Sequence, residues 1–285
     1  IGDKSALEVS AKERYEKFSK IWNGPGLNDF VASYNDIVTN LEANELAGDF
    51  LKSKIREIVN DDAVAEKLLP EIMFWCKRVC ADTNYYETYN RDNVELIDVS
   101  NTPIEEILPN GIKVQGNSYD LDVIVFAIGF DAMTGALNAI DIVGKDGVRL
   151  KEKWADGPIT YLGLSVNKFP NLFTITGPGS PSVLSNMMTS IEQHVDWISD
   201  FIEYSFNNGI IEIEASSIAE IEWTDHVEEL GENSLKSNTG CNSWYLGSNV
   251  PGKKRVFMPY IGGVGKYREE CDSIASSGYK GFVLH

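Results

Sequence analysis

Residues 171–188 combine types that can build a binding site for an anion or for the polar edge of a ring. Residues 172–176 are β-branched or aromatic apart from the leading leucine, which predicts a short buried strand. A Gly177-Pro178-Gly179 turn follows, and Ser180 and Pro181 suit the N-cap and the first position of a helix. The first N–H groups of such a helix have no partner within the helix and point at any ligand that binds there. Turns of this kind also occur without a ligand, so the stretch alone leaves both interpretations open.

A second candidate is the basic pair Lys77-Arg78, which follows the apolar residues Phe74 and Trp75. Arginine keeps its charge at any working pH and offers a fork of donors to developing oxyanion charge. A Lys-Arg pair is more often part of a solvated surface. The apolar neighbours, with Val79 on the other side, make a purely solvated position less favourable.

A long helix is predicted over residues 182–207, where Ile191, Val195, Ile198 and Ile202 form an apolar stripe. This stripe leaves His194 on the polar side of the helix. We therefore predict that His194 has no part in catalysis.

Sequence motifs of several enzyme classes are absent. The chain contains no Gly-x-Gly-x-x-Gly fingerprint, phosphate-binding loop, His-Glu-x-x-His or Gly-x-Ser-x-Gly motif. Of the three histidines, His285 is the last residue. Cys76 and Cys80 are four positions apart without a second ligand pair, which argues against zinc. A serine hydrolase or a metal enzyme therefore has little support, and no metal site is predicted.

Bulk composition excludes further classes. The 285 residues carry a formal net charge of −18, whereas nucleic acids and anionic membranes bind basic faces, so neither is an expected partner. No run approaches the roughly 20 apolar residues of a membrane helix, and the first residues lack the layout of a signal peptide. Four scattered cysteines are too few for a disulfide framework. We expect a reduced, cytoplasmic protein.

Alternating helical and extended segments must position the candidate residues. Residues 3–73 have apolar positions at helical spacing and predict a helical subdomain, with one short helix more over residues 85–90. Strands are predicted over residues 94–99 and in hairpins around Pro109-Asn110-Gly111. Residues 122–130 are almost continuously apolar, which is typical of a parallel strand covered on both faces. Further helices are predicted near residues 217–230 and up to about residue 277. The pattern predicts an α/β protein with helices on a largely parallel sheet.

Several segments, in order, resemble the C-terminal half of the flavin-dependent type I Baeyer–Villiger monooxygenases, and most of all those members that act on phenylacetone, cyclohexanone or steroid ketones. The likeness extends over essentially all 285 residues. The family's Gly-rich dinucleotide fingerprints and its own His-containing signature find no match, and the chain begins with Ile rather than Met. The resemblance therefore implies a C-terminal portion or one piece of a split protein. The matching segments are residues 76–78, 82–94, 121–137, 160–163, 169–192 and 243–260.

The resemblance implies part of an α/β flavoprotein with two Rossmann-like dinucleotide-binding domains, one for FAD and one for NADPH. It assigns residues 1–73 to a helical subdomain of the NADPH domain, residues 74–130 to the C-terminal part of that domain, and residues 131–285 to the C-terminal half of the FAD domain. The implied reaction uses NADPH and a C4a-peroxyflavin to insert one oxygen atom of O₂ next to a ketone carbonyl, giving an ester or lactone. The implied partner is the N-terminal half, without which we expect no catalysis.

The resemblance also assigns roles to individual residues. Arg78 matches the arginine that stabilises the peroxide and the tetrahedral adduct, and Lys77 matches a residue that pairs with the 2′-phosphate of NADPH. Trp244 matches a tryptophan on a mobile loop that folds over NADP, and Met187 matches a residue against the flavin ring. The N–H groups of the helix that follows would face the pyrimidine edge of the flavin. The loop that shapes the substrate pocket is matched by Ser182, Val183, Leu184 and Ser185.

One position departs from the family pattern. The family usually has Ala-Thr-Gly where this chain has Ala127-Ile128-Gly129. Isoleucine removes the hydroxyl and with it a polar contact between the domains, which puts the coupling of the domains in question.

Two other hypotheses stay open. An N-hydroxylating or S-oxidising flavin monooxygenase would share the fold. A non-catalytic truncated fragment would only pack against a partner. Arg78 and the ketone-type loop favour the Baeyer–Villiger hypothesis.

Overall fold

The structure, a computed structural model, describes residues 2–24, 26–232, 234–237 and 240–285. By its internal contacts the chain divides into unit 1, Ile1–Phe74 with Arg78–Gly129, and unit 2, Trp75–Lys77 with Phe130–His285. The helices are α1 (Ala11–Trp22), α2 (Leu27–Val31), α3 (Leu41–Ile58), α4 (Asp62–Leu68), α5 (Tyr85–Thr88), α6 (Gly135–Asn138), α7 (Leu150–Lys153), α8 (Met187–Asn207), α9 (Ser217–Glu232) and α10 (Val264–Ser276). The strands are β1 (Glu106–Leu108), β2 (Gly111–Val114), β3 (Asn117–Asp120), β4 (Ile213–Ala215) and β5 (Phe282–Leu284).

Unit 1 begins with the helices that the apolar periodicity predicts. The side chain of Ser10 accepts a hydrogen bond from the Glu13 N–H at the start of α1, and Asn40 plays the same part for α3. The apolar faces of α1 to α3 meet in an aromatic cluster in which Phe18 contacts Phe30 and Phe50. The predicted helical character of this region is confirmed.

The hairpins of unit 1 are also confirmed. Strands β1, β2 and β3 form an antiparallel sheet in that order, with Leu108 opposite Gly111 and Val114 opposite Asn117. The second turn places Gln115 and Gly116 at positive φ, the conformation of the turn that matches strand twist in two-residue hairpins.

Two predicted strands of unit 1 are absent. Residues 94–99 have no strand structure, and neither do residues 122–129. The latter segment exposes its apolar side chains, with Val125 82% and Ile128 89% exposed. A parallel strand needs neighbours at its edges and cover on both faces, and the described part of the chain provides no ladder partner for it. In place of the predicted parallel sheet, the sheets of the described residues are antiparallel: β1-β2-β3 and β4-β5.

Unit 2 is built on helices α8, α9 and α10 and the sheet β4-β5. Its core holds Trp197 and Phe201 from α8, Trp223 from α9 and Tyr267 from α10. The predicted helices near residues 217–230 and up to residue 277 are confirmed by α9 and α10. No helix in the described ranges combines the length and the apolar composition that crossing a membrane requires.

Candidate functional site

The Gly-Pro-Gly turn of unit 2 is a tightly packed corner. Gly177 leaves no room for a side chain, because an added Cβ would lie 2.5 Å from the Gly163 carbonyl oxygen. Gly179 has a φ of +87°, which favours glycine. The Thr160 hydroxyl donates to the Pro178 carbonyl at 2.7 Å, and the Trp223 indole donates to the Gly179 carbonyl at 2.9 Å. The glycines are therefore explained by packing within the chain.

The predicted strand before this turn is reduced to a single bridge between Ser165 and Phe173. Asn171 and Thr176 have positive φ values of 58° and 53°, which interrupt the extended backbone on both sides of the bridge. The β-branched composition therefore predicted a strand where the tertiary structure bends the chain.

The helix after the turn begins later than predicted. Ser180 does not cap it, because the Ser180 hydroxyl donates back to the Gly177 carbonyl at 2.7 Å. Residues Ser182–Leu184 form one 3₁₀ turn, and Ser185 is extended. Helix α8 starts at Met187, with Asn186 as the N-cap whose side chain accepts from the Met188 N–H at 3.0 Å. The turn and the first helical N–H groups are thus separated by a short loop.

His194 is fully buried, which contradicts its predicted place on the polar side of the helix. The buried face of α8 carries Trp197 and Phe201, whereas Val195 and Ile202 of the predicted stripe are exposed. The two large aromatic side chains determine which face packs inward. Counting their spacing together with the aliphatic residues would have found this face from the sequence.

The His194 side chain holds the backbone that leads into the turn. Its Nδ1 accepts a hydrogen bond from the Thr176 N–H at 2.9 Å, so the neutral ring carries its proton on Nε2. Within the described residues Nε2 has no hydrogen-bond partner. Burial lowers the pKa of the imidazole to about 4, because the charged form is poorly solvated there.

The side chains of the predicted pocket loop, residues 182–185, differ in burial. Ser182 is buried, and Val183, Leu184 and Ser185 are half-buried. The Ser185 hydroxyl donates to the Ser182 carbonyl at 2.8 Å and lies 2.6 Å from the Ser190 hydroxyl of α8. Met187, in the first turn of α8, is exposed. The hydroxyls of Ser185 and Ser190 therefore hold the loop on α8. The half-buried Val183 and Leu184 give the loop a partly exposed apolar surface.

A disulfide joins the segments of unit 2 that carry Lys77 and Trp244. Cys76 and Cys241 are bonded, with Cα atoms 5.5 Å apart and a sequence separation of 165. The expectation of a fully reduced chain is wrong at this pair, while Cys80 and Cys271 are free thiols. Cysteine count and spacing could not reveal the bond, because the two residues meet only in the tertiary structure.

Lys236 reinforces the same connection. Its Nζ donates to the Trp75 carbonyl at 2.6 Å and lies 4.7 Å and 4.6 Å from the ring centres of Trp75 and Tyr245. Both distances are typical of cation–π contacts. Lys236 has no motif around it, and sequence analysis missed it.

The remaining candidates lie around this connection or in unit 1. Lys77 is exposed, and Trp244 is half-buried in a 3₁₀ turn with its ring centre 4.2 Å from that of Tyr245. Arg78 is exposed and belongs to unit 1, whereas Lys77 belongs to unit 2. The structure thus brings the Lys77 and Trp244 segments together and keeps Ser182 to Met187 in one consecutive stretch.

These residues have the chemistry that part of a flavin and nicotinamide site requires. An aromatic cofactor needs apolar side chains and donors for its polar edge, and a phosphate needs a cation. The exposed first turn of α8 supplies N–H groups and the apolar side chain of Met187. Lys77 and Trp244 of the same unit supply a cation and an aromatic ring. These residue types therefore fit FAD and NADPH: Met187 and Trp244 suit rings, and Lys77 suits a phosphate.

Comparison with known proteins identifies the relatives of the chain. No family model matches it. It is 42% identical to the cyclohexanone 1,2-monooxygenase of Acinetobacter sp over 98% of this chain and 51% of that protein. It is 39% identical to a Baeyer-Villiger monooxygenase of Pseudooceanicola batsensis (98% and 50%). It is also 36% identical to the phenazine N-monooxygenase of Lysobacter antibioticus (99% and 51%). The chain thus spans about half the length of the curated relatives it matches.

Solved structures agree with these relatives. A steroid monooxygenase bound to NADP is 48% identical and matches 99% of this chain and 53% of its own with a TM-score of 0.89. A complex of OTEMO with FAD and NADP is 40% identical and matches 100% of this chain and 52% of its own with a TM-score of 0.93. The α/β fold is thereby confirmed. The chain is homologous, over about half of their length, to the Baeyer–Villiger monooxygenases, as the sequence resemblance predicts.

Proposed function

We propose that this chain is part of a FAD- and NADPH-dependent Baeyer–Villiger monooxygenase that converts a ketone and O₂ into an ester or lactone. The observation that carries the proposal is the 42% identity to a cyclohexanone monooxygenase over 98% of this chain. Since the match covers 51% of that relative, we also propose that the rest of the site comes from an N-terminal half, and that the chain alone is inactive. A cytoplasmic location suits a reaction that consumes NADPH.

The proposed whole has two Rossmann-like domains, with residues 1–73 and 74–130 in the NADPH domain and residues 131–285 in the FAD domain. The exposed apolar run at residues 123–128 supports this arrangement. Such a run is typical of a parallel strand that is covered on both faces. Strands of the N-terminal half would supply its neighbours.

Bound FAD, reduced by NADPH, would supply the activation of O₂. Lys77 would bind a phosphate of NADPH through its exposed ammonium group, and Trp244 would pack its ring against that cofactor. Arg78 would donate N–H groups to the negative charge that develops on the ketone oxygen. Met187 would contact the flavin ring, which lies outside the residues of this chain.

The pocket loop would select the ketone by its apolar surface. Val183 and Leu184 are half-buried and would contact the carbon skeleton and exclude water. Ser185 would keep the loop in place, because its hydroxyl donates to the backbone carbonyl of Ser182 and lies next to the Ser190 hydroxyl. The buried Ser182 would line the loop from the inside. Serine at position 185 would thus be a positioning residue.

A second candidate function is oxidation of nitrogen or sulfur by the same cofactors. It is favoured by the 36% identity to a phenazine N-monooxygenase over 99% of this chain. The two candidates differ in the atom that receives oxygen, so the products separate them. A nitrogen or sulfur atom bears a nucleophilic lone pair, whereas the ketone carbonyl is electrophilic.

The test is a product assay with the whole protein, chain and N-terminal half together, in FAD and NADPH. We expect a lactone from a cyclic ketone, and about a 100-fold slower reaction in Arg78→Ala because an oxyanion donor is lost. Arg56→Ala is the matched control, since Arg56 forms an exposed pair with Glu66 and its loss should change the rate little. N-oxide or sulfoxide without lactone would favour the second candidate. If the flavin-loaded whole protein consumes no NADPH, both enzyme functions are wrong, and the hypothesis of a non-catalytic fragment remains.

A further inference from the structure

The Cys76–Cys241 bridge connects the residues proposed to bind NADPH. Lys77 directly follows Cys76, and Trp244 lies three positions after Cys241. Both cysteines are buried, at 1% and 0% exposure. Their Cα separation of 5.5 Å lies within the usual range for a disulfide. The two cysteines are 165 positions apart in the sequence, so the bond is a direct covalent link between segments that are distant along the chain.

Polar contacts hold each side of the bridge without replacing it. Lys236 donates to the Trp75 carbonyl at 2.6 Å, next to Cys76. Arg255 donates to the Cys241 carbonyl at 2.7 Å. These contacts involve backbone carbonyls and rings, and they would keep the two segments near each other after the S–S bond is broken. Unit 2 would therefore stay folded after reduction. Lys77 and Trp244, no longer linked through the two sulfur atoms, would have a wider range of positions.

We propose that the Cys76–Cys241 disulfide is a redox-sensitive positioning element that keeps the segment of Lys77 beside the segment of Trp244 and so strengthens the binding of NADPH. This inference rests on the proposed function, in which the chain binds NADPH. A dithiol reductant would donate two electrons and two protons, break the S–S bond, leave two thiols on the protein and become a disulfide itself. Cytosolic disulfides are usually transient and redox-sensing, which suits the proposed location.

The coupling must act in both directions. If reduction weakens the binding of NADPH, then bound NADPH must make the bridge harder to reduce by the same factor. A tenfold change in affinity corresponds to a shift of about 30 mV in the midpoint potential of this two-electron couple. Because both sulfurs are buried, reduction also requires Trp75–Lys77 to open locally, and a bound dinucleotide would slow that opening.

The experiment uses the whole flavin-loaded protein. Alkylation followed by peptide mapping without reductant should give one peptide pair linked through Cys76 and Cys241. Reduction with a phosphine should then raise the KM for NADPH about tenfold, the equivalent of one charge-assisted hydrogen bond, with kcat unchanged within about twofold. NADP⁺ should protect the linked peptide from reduction.

Cys241→Ser should show the reduced-state KM from the start and no response to the phosphine. Cys80→Ser is the matched control, because Cys80 is a free exposed thiol, and it should respond to the phosphine as the parent protein does. If Cys241→Ser does not fold, the reduced parent protein provides the same comparison. Absence of the linked peptide, or an unchanged KM after reduction, overturns the inference while lactone formation still supports the proposed function. Failure of the oxidised protein to consume NADPH overturns both.

Discussion

Two apolar segments of this chain have opposite environments. Leu162, Leu164 and Val166 of unit 2 are fully buried, whereas Val123 and Val125 of unit 1 are 74% and 82% exposed. The side chains are of the same kind, so hydrophobicity does not distinguish the segments. The buried segment pairs with Phe173 through Ser165. Leu162 and Leu164 pack in the core with α8 and α9, and Val166 packs in a second cluster with Leu150. The exposed segment has no ladder partner in the described residues.

In this chain the buried apolar segment is the one for which the described residues supply neighbours. Exposed apolar patches mark surfaces that another segment or protein covers. Unit 2 contains its own covering helices, and its packing can be tested in this chain. The exposed run of unit 1 can be tested only by comparing the chain with the whole protein.

The largest contrast is expected between Leu164→Ala and Val125→Ala. Leu164 is 0% exposed, so its truncation should lower the free energy of unfolding of unit 2 by about 2–5 kcal/mol through lost burial and a cavity. Val125→Ala should change the stability of the chain by less than about 0.5 kcal/mol. Denaturant unfolding of both variants measures the difference. If both variants lost the same free energy of unfolding, Val125 would be as buried as Leu164, and the contrast between the segments would be wrong.

A smaller effect on the free energy of unfolding is expected from the titration of His194. It tests how completely unit 2 buries this side chain, which binds the backbone before the Gly177-Pro178-Gly179 turn. The pKa of about 4 in the folded state lies below the ordinary value of 6.5, so the unfolded chain binds a proton first as the pH falls. The free energy of unfolding should therefore fall between about pH 6.5 and 4, by up to about 1.4 kcal/mol per pH unit. Above this window the contribution is fully present.

Unfolding at several pH values checks this titration. His194→Gln keeps an acceptor for the Thr176 N–H and removes the ionisable ring, so the slope between pH 6.5 and 4 should be smaller than in the parent chain. The parent chain, measured at the same pH values, is the control. A His194→Gln variant with the parent slope would show that the ring is solvated.

The smallest effect on this chain is expected from Val125→Lys. The side chain is 82% exposed, so the stability of the chain should change by less than about 0.5 kcal/mol, while self-association should decrease because an apolar patch is interrupted. Sedimentation measures the association. In the whole protein the same change should prevent folding or assembly, since it would bury an unpaired charge. Tolerance in the whole protein would mean that the run stays exposed there.

Local signals predicted much of the secondary structure, and a resemblance along the whole chain predicted the family. Helices α1, α3, α9 and α10 follow apolar periodicity, and the hairpins of unit 1 follow from turn residues between short strands. The segments that resemble Baeyer–Villiger monooxygenases were enough to predict relatives that the comparisons then confirmed. The assignments of Arg78, Lys77, Met187 and Trp244 depend on that resemblance and remain proposals.

The sequence by itself determined which segments are helical and where the tight turns lie, because these properties depend on neighbouring residues. It also determined which family the chain resembles, because matching segments follow one another along the whole chain. Only the tertiary structure decided that α8 begins after Asn186, that His194 lies on its buried face and that Cys76 bonds to Cys241. Each depends on packing between distant residues. The same reason explains the segment at residues 122–129, whose composition predicts a strand but whose ladder requires partners that the described chain does not contain.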